Sequence, residues 1–323
     1  MNIKKIGLTA LASSLVATSV YAGELTLSGG AKMSYVKYDG TADSKDIGSG
    51  LAMDQEITAS GSAELDNGMT VSLSHALTGS GSTSNTSVLT LDMGDMGSLA
   101  FTDTDNGGGL ADLDDMTPTA YEEVWDGIKS TRTFAEMPVG RGFSYSNTIA
   151  GASIGVQYSD NLDSSQSTDG SAHGGTGNSS SSSIGVVYPV GDTGLTIYGG
   201  VGSEGGVDGK EIDHDTLGAK YAFGPVTVGY QVNDEDDTDT TGTDYKTTIM
   251  GIAVSVNENL SLSYGNMETD SSANSIDQDI DGVSVAYSMG GMTLSAYRNE
   301  ASNLANAPSS TSEKTELLLT FAF

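Results

Sequence analysis

From Gly23 onward the chain alternates apolar and polar residues with a period of two. Leu25, Leu27, Gly29, Ala31, Met33 and Tyr35 fall on one face, and Thr26, Ser28, Gly30, Lys32 and Ser34 on the other. This alternation is the pattern of a strand held between two unlike environments. After a polar stretch at about 39–50, Met53, Gln55, Ile57, Ala59, Gly61, Ala63 and Leu65 oppose Asp54, Glu56, Thr58, Ser60, Ser62 and Glu64. Asp66-Asn67-Gly68 then supplies the positive φ values that a two-residue hairpin turn needs.

Carried to the end, the same reading predicts sixteen strands, near 24–38, 51–65, 69–78, 86–93, 98–103, 141–149, 152–159, 181–189, 194–203, 212–223, 226–233, 245–256, 260–268, 280–289, 292–299 and 312–323. Their connections alternate in length. Short turns at Asp66–Gly68, Gly94–Gly97, Ala150–Gly151, Val190–Thr193, Gly224–Pro225, Asn257–Asn259 and Gly290–Gly291 interleave with polar loops near 39–50, 79–85, 104–140, 160–180, 204–211, 234–244, 269–279 and 300–311. Tight turns at one rim and long loops at the other describe an all-β, up-and-down antiparallel transmembrane barrel. A soluble sandwich does not segregate its loops in this way.

One stretch does not alternate. Asp103 to Arg141 is the longest such segment and holds the only tryptophan, Trp125. A connection of this length inside a compact architecture is uncommon and usually functional. By strand count it is the third long loop, and it is expected to fold into the lumen, with a short helix over Tyr121–Lys129.

The apolar face suits lipid. Val226, Val228, Tyr230 and Val232 share a face, as do Met250, Ile252, Val254 and Val256, then Leu260, Leu262 and Tyr264. Tyr158, Tyr188, Tyr221, Tyr264 and Tyr287 recur near strand ends, where an amphipathic ring lies at headgroup level. The outward positions of the first two strands are small (Gly29, Ala31, Ala59, Gly61, Ala63), which permits one barrel wall to pack closely on another.

Composition adds compartment and partners. Residues 1–22 read as a signal peptide: Lys4 and Lys5, an apolar run from Ile6 to about Val20, and Val20-Tyr21-Ala22 before the cut, which leaves residues 23–323 as the barrel. The run is too short and too rich in Ser and Thr to span a bilayer, which takes roughly 20 apolar residues. There are no cysteines, so an exported fold must hold together without disulfides. Forty-three acidic residues against 13 basic ones exclude nucleic acid as a partner, because binding it relies on cationic groups. His75, His173 and His214 lie in separate segments without metal-ligand spacing, and no Gly-x-Ser-x-Gly or His-Glu-x-x-His motif is present, so the chain does not read as an enzyme.

The last strand carries the most specific pattern. In TELLLTFAF, Thr315, Leu317, Leu319, Phe321 and Phe323 occupy one face, and Phe323 is the last residue. With the signal peptide, the GELTLSGG first strand and sixteen alternating segments, the chain resembles a Gram-negative general porin, most similar to alphaproteobacterial ones. The resemblance implies an outer-membrane homotrimer, surrounded by membrane lipid and lipopolysaccharide, of sixteen-stranded barrels that are wide enough for an aqueous lumen. It further implies a channel narrowed by the third loop, and recognition of Phe321 and Phe323 by the barrel-assembly machinery.

Within that expectation, Asp112, Asp114, Asp115, Glu122, Glu123 and Asp126 are candidates for the negative side of a constriction, with Lys129, Arg132 and Arg141 in or just after the loop. General porins usually face this loop with a basic cluster on the wall. Here the wall candidates are Lys32 and Lys220, while Asp54, Glu56, Glu64 and Asp92 point inward and strands two to four contain no arginine. Clustered carboxylates raise local cation concentration, so the pore is expected to prefer cations. Structural calcium is a further candidate, at Asp103 and Asp105 or at Asp234 and Asp236 in the acidic run Asn233–Asp239. No other cofactor is expected. A substrate-selective channel, a structural or adhesive barrel binding divalent cations and a secreted β-rich binding protein are the competing readings. A series of lumenal aromatics would favour the first of these, but most strand tyrosines map outward, with Tyr297 the exception.

Overall fold

The computed structural model describes residues 25–41, 48–79, 84–102, 107–128, 141–159, 180–205, 211–238 and 242–323. Among these, sixteen strands follow one another: β1 (Thr26–Gly40), β2 (Gly48–Glu64), β3 (Thr70–Thr78), β4 (Ser84–Asp92), β5 (Ser98–Thr102), β6 (Gly142–Ile149), β7 (Ala152–Ser159), β8 (Ser181–Pro189), β9 (Leu195–Gly205), β10 (Glu211–Phe223), β11 (Val226–Asp237), β12 (Tyr245–Asn257), β13 (Leu260–Ser271), β14 (Gln278–Met289), β15 (Met292–Ser302) and β16 (Thr311–Ala322). Each pairs antiparallel with its sequence neighbours, and β1 pairs with β16, so the sheet closes into a barrel. Closure removes the free edges that an open sheet would expose. At the seam Phe323 exchanges two backbone hydrogen bonds with Gly29, both 3.0 Å.

The two faces sort as their chemistry demands. Leu217 (72% exposed), Tyr230, Met250, Ile252, Leu262, Tyr264, Val283 and Leu317 stand on the outer face, exposed as lipid-facing residues are. Between them along the same strands lie Thr216, Gln231, Thr247 and Ser284, on the opposite face and buried. A closed barrel crosses a bilayer because every backbone group is paired within the sheet.

The short connections use residues suited to their angles. At Ala150–Gly151 both residues have positive φ, 52° and 85°, the requirement of the mirror-image turn whose twist matches that of its strands. Between β4 and β5 the turn contains a single 3-10 turn at Gly94–Met96, and Asp92 Oδ1 accepts from Gly94 N at 2.9 Å. Asp92 thus holds a turn at the end of β4, a local role that alternation does not reveal.

Several strands extend farther than the sequence pattern predicts. β11 continues to Asp237, where a polar loop from 234 is expected, because its ladder with β10 runs on to Ile212↔Asp237. β13 likewise reaches Ser271 and β15 reaches Ser302. Above the apolar band both faces of the wall are polar, so alternation disappears while backbone pairing persists. Composition alone mistakes these strand ends for loops.

The apolar band is open to a direct test. Ile252→Arg, in the middle of β12 on the outer face, is expected to destabilise the folded barrel by about 2–4 kcal/mol if it lies near the bilayer midplane. Reversible denaturant unfolding in lipid vesicles reads that loss, and an unchanged unfolding curve would place Ile252 away from lipid.

Candidate functional site

The segment between β5 and β6 is described for 107–128. It lies along the polar face of the wall, opposite the exposed apolar positions, and a row of glycines sets how near it can come. Gly229, Gly251, Gly265 and Gly282 are mutual register partners across β11–β14, and Gly155, Gly185 and Gly200 form a second row across β7–β9. A Cβ at Gly251 would stand 2.8 Å from Pro118 O, and one at Gly265 would stand 2.5 Å from Val124 Cγ1. Any side chain in these rows would occupy the place of the loop.

Hydrogen bonds fix the segment to the wall. Ala120 N donates to Ser263 Oγ (2.9 Å) and Tyr121 N to Ser284 Oγ (3.1 Å). Asn299 Nδ2 donates to the carbonyls of Glu123 and Asp126 at 2.9 and 3.1 Å. Farther back, Leu110 N donates to Ser183 Oγ at 3.0 Å. These bonds satisfy backbone groups that would otherwise be stranded off the ladder.

Two apolar clusters complete the seat. Val124, Trp125 and Ile128 are buried against Ile249, Met267, Ile280, Ala301 and Leu304, and Leu110 and Leu113 against Tyr198. Burial of each such large side chain contributes on the order of 1.5–3 kcal/mol. Ile249, Met267 and Ile280 break the rule of polar residues on the inner face, and here they receive the loop.

The expected helix at Tyr121–Lys129 is not formed. Its described part, Tyr121–Ile128, makes a turn with three-residue bonds, Asp126 N to Glu123 O (3.2 Å) and Ile128 N to Trp125 O (3.0 Å). Gly127, at φ 69°, ends it. A 3-10 helix forms instead at Ala111–Met116. Anchoring to the wall outweighs local helix preference.

The structure places the candidate residues in several groups. Glu122, Glu123 and Asp126 come together, each with one carboxylate oxygen within 4.8 Å of the others, and Asp126 Oδ2 accepts from Glu123 N at 3.0 Å. Burial first, then a hydrogen bond shared with Asp126, holds the Glu122 carboxyl above its usual 4.5. Asp112, Asp114 and Asp115 belong to the 3-10 helix, and Asp112 lines a separate cavity of 720 Å³. Lys220 reaches the same helix, with Nζ 4.0 Å from Met116 Sδ. Arg141 lies half-buried immediately before β6. Glu56 and Glu64 are exposed on β2, where Glu56 accepts from Thr58 Oγ1 at 3.1 Å. Lys129, Arg132, Asp103 and Asp105 lie outside the described residues. Asp234 and Asp236 sit on β11 rather than in a loop. His75 bonds Ser87 on β4, while His214 lies buried on β10, 3.7 Å from Glu204.

The sequence reading named part of the most connected group but missed Lys314 and Glu316. A cavity of 420 Å³ is lined by Lys32 and Asp54 from the wall, by Tyr121, Glu122 and Asp126 from the loop, and by Tyr297, Lys314 and Glu316 from β15 and β16. Lys314 Nζ lies 2.8 Å from Glu316 Oε2, which also accepts the Tyr297 hydroxyl at 2.9 Å. The same ammonium stands 5.0 Å from the centre of the Tyr297 ring and 5.8 Å from that of Tyr38. The signal was available: with Thr315, Leu317 and Leu319 outward, period two puts Lys314 and Glu316 inward. Lys314 means that the wall facing the loop is not without positive charge.

A family model described as Gram-negative porin matches residues 7–296. Among solved structures, the anion-selective porin from Comamonas acidovorans is 15% identical, with 93% of this chain and 100% of that chain covered and a TM-score of 0.68. A triple mutant of the Rhodopseudomonas blastica porin is 16% identical over the same shares, with a TM-score of 0.64. At these identities the likeness is one of fold. No curated protein sequence matches the chain.

The glycine rows yield a test. Gly265→Leu is expected to collide with Val124 and lift the loop, because overpacking costs typically about 1–3 kcal/mol and the loop yields more readily than the ladder. Limited proteolysis of the detergent-solubilised barrel is expected to cut within 107–128 in the variant and not in the parent. Equal protection in both would mean that the glycine row does not set the approach.

Proposed function

Because the chain belongs to the Gram-negative porin family, we propose that it works as an outer-membrane channel through which small hydrophilic solutes and ions diffuse passively, with a preference for cations. The observation that carries the cation preference is the charge around the 420 Å³ cavity, where Asp54, Glu122, Asp126 and Glu316 face two ammonium groups, those of Lys32 and Lys314. The loop narrows the passage on its acidic side, and the surplus of carboxylates raises the local concentration of cations. The fold is shared with the anion-selective porin from Comamonas acidovorans. Selectivity is therefore assigned to the site and not to the barrel.

The working unit on this reading is a homotrimer in lipid and lipopolysaccharide, inserted by the barrel-assembly machinery through Phe321 and Phe323 after removal of residues 1–22. The exposed apolar residues Leu51, Met53 and Ile57 of β2, beside the small Ala59 and Gly61, suit a contact with another barrel.

Reversal potential across a planar bilayer under a KCl gradient tests the selectivity. Cation preference is expected, reduced when Glu122→Gln and Asp126→Asn are combined, and an anion-selective pore would overturn the reading.

Acidity provides an independent check. Since the Glu122 carboxyl is held above 4.5, its negative charge is complete only above that raised value and is lost as pH falls through it. Cation preference is expected to weaken on acidification, with a midpoint above the ordinary carboxylate range of about 4.3. In Glu122→Gln that midpoint should move down, and a selectivity independent of pH would remove Glu122 from the constriction.

A further inference from the structure

His214 lines neither of the cavities beside the loop. It lies on the inner face of β10, 2% exposed, and neither of its ring nitrogens has a hydrogen-bond partner among the described residues. Buried polar atoms are nearly always partnered, so an imidazole with both nitrogens unmatched is an exception.

The register sets what stands around it. On β9 the inner-face positions beside His214 are Gly200, Gly202 and Glu204, with Gly202 directly across. Two of the three carry no side chain, which leaves Glu204 as the polar group of β9 that reaches the ring. On β11 Glu235 stands directly across from His214, and side chains paired in this way have Cβ atoms about 4.5–5.5 Å apart. The imidazole is therefore flanked by a carboxylate from each neighbouring strand.

One distance decides how the nearer pair interacts. His214 Nε2 and Glu204 Oε1 are 3.7 Å apart, beyond the roughly 3.2 Å at which an N–H donates to an oxygen. It is close to the separation of two atoms bound to one small ion. A zinc ion lies about 2.0–2.1 Å from an imidazole nitrogen and about 2.0–2.2 Å from a carboxylate oxygen, which at the tetrahedral angle sets the two ligands roughly 3.4 Å apart. A small side-chain rotation closes the difference. The Glu204 side chain is 18% exposed, so an ion reaches the pair from the carboxylate side.

From this geometry we propose that His214 and Glu204 form a binding site for a divalent transition-metal ion of the zinc class, with Glu235 as the adjacent carboxylate that adds to its negative field. Water fills the remaining coordination positions. Imidazole selects such ions over magnesium and calcium, which suit oxygen ligands. The site is separate from the group of Glu122, Glu123 and Asp126, and it does not rest on the ion preference of the channel.

The test is a calorimetric titration of the detergent-solubilised barrel with ZnCl2, in an excess of MgCl2 that occupies sites made of carboxylates alone. Zinc uptake is expected to survive the magnesium and to weaken at least about tenfold in His214→Gln and in Glu204→Gln. His75→Gln and His173→Gln should leave it unchanged, the former because its imidazole is bonded to Ser87 on another part of the wall. Glu204→Gln alters a partly exposed side chain and carries the test if His214→Gln fails to form a barrel. X-ray absorption at the zinc edge should show an imidazole in the shell of the bound ion. Uptake that magnesium displaces, uptake equal in the parent and the Glu204 variant, or a shell of oxygen alone overturns the site, and each leaves the channel reading standing.

Discussion

The close approach of one loop to the barrel wall is the constraint on which the rest of the site depends. A loop can lie flat on a sheet only where side chains are missing, and here two register rows of glycine leave that space. Serine hydroxyls and the Asn299 amide then take the backbone bonds that a loop off the ladder cannot supply for itself. Trp125 and its neighbours add the apolar burial that makes the placement stable rather than merely permitted. Remove the glycines and the bonds lose their geometry, because donor and acceptor distances of about 3 Å tolerate little displacement.

That seat decides where the charges stand. Glu122 and Asp126 are brought against a wall that carries Lys32, Lys314 and Glu316, and the mixture is neither a uniformly acidic gate nor a clean separation of signs. Carboxylates remain in excess, which is the physical basis for a cation preference. The lysines reduce that excess locally and, through Lys314, display how the tyrosines and carboxylates hold an ammonium group. The same fold is found in a porin named as anion-selective, so the fold alone does not fix a preference of either sign.

Much of the architecture was readable in advance. Sixteen alternating segments, tight turns interleaved with long loops, and the position of the third loop all emerged from period two and turn chemistry, since each depends on near neighbours along the chain. Reading failed where local pattern and long-range pairing part company. Asp234 and Asp236 looked like a solvated loop, yet β10 holds them in a strand. Tyr121–Lys129 looked like a short helix, and wall contacts drew its described part into a turn.

The residues of the site divide along the same line. Parity along β16 places Lys314 and Glu316 on the inner face, and parity along β13 and β14 does the same for Gly265 and Gly282, so each orientation is written in the chain. Their meeting is not. Whether Gly251, Gly265 and Gly282 fall into one row, and whether Lys32, Tyr297 and Lys314 converge on one cavity, depends on strand register, which joins residues as far apart in the chain as β1 and β16. A shift of one residue in any pairing would keep most of the alternation pattern legible and send those side chains to the other face. Local chemistry therefore sets the barrel and its inner face, and the closing of the sheet sets which inner residues meet.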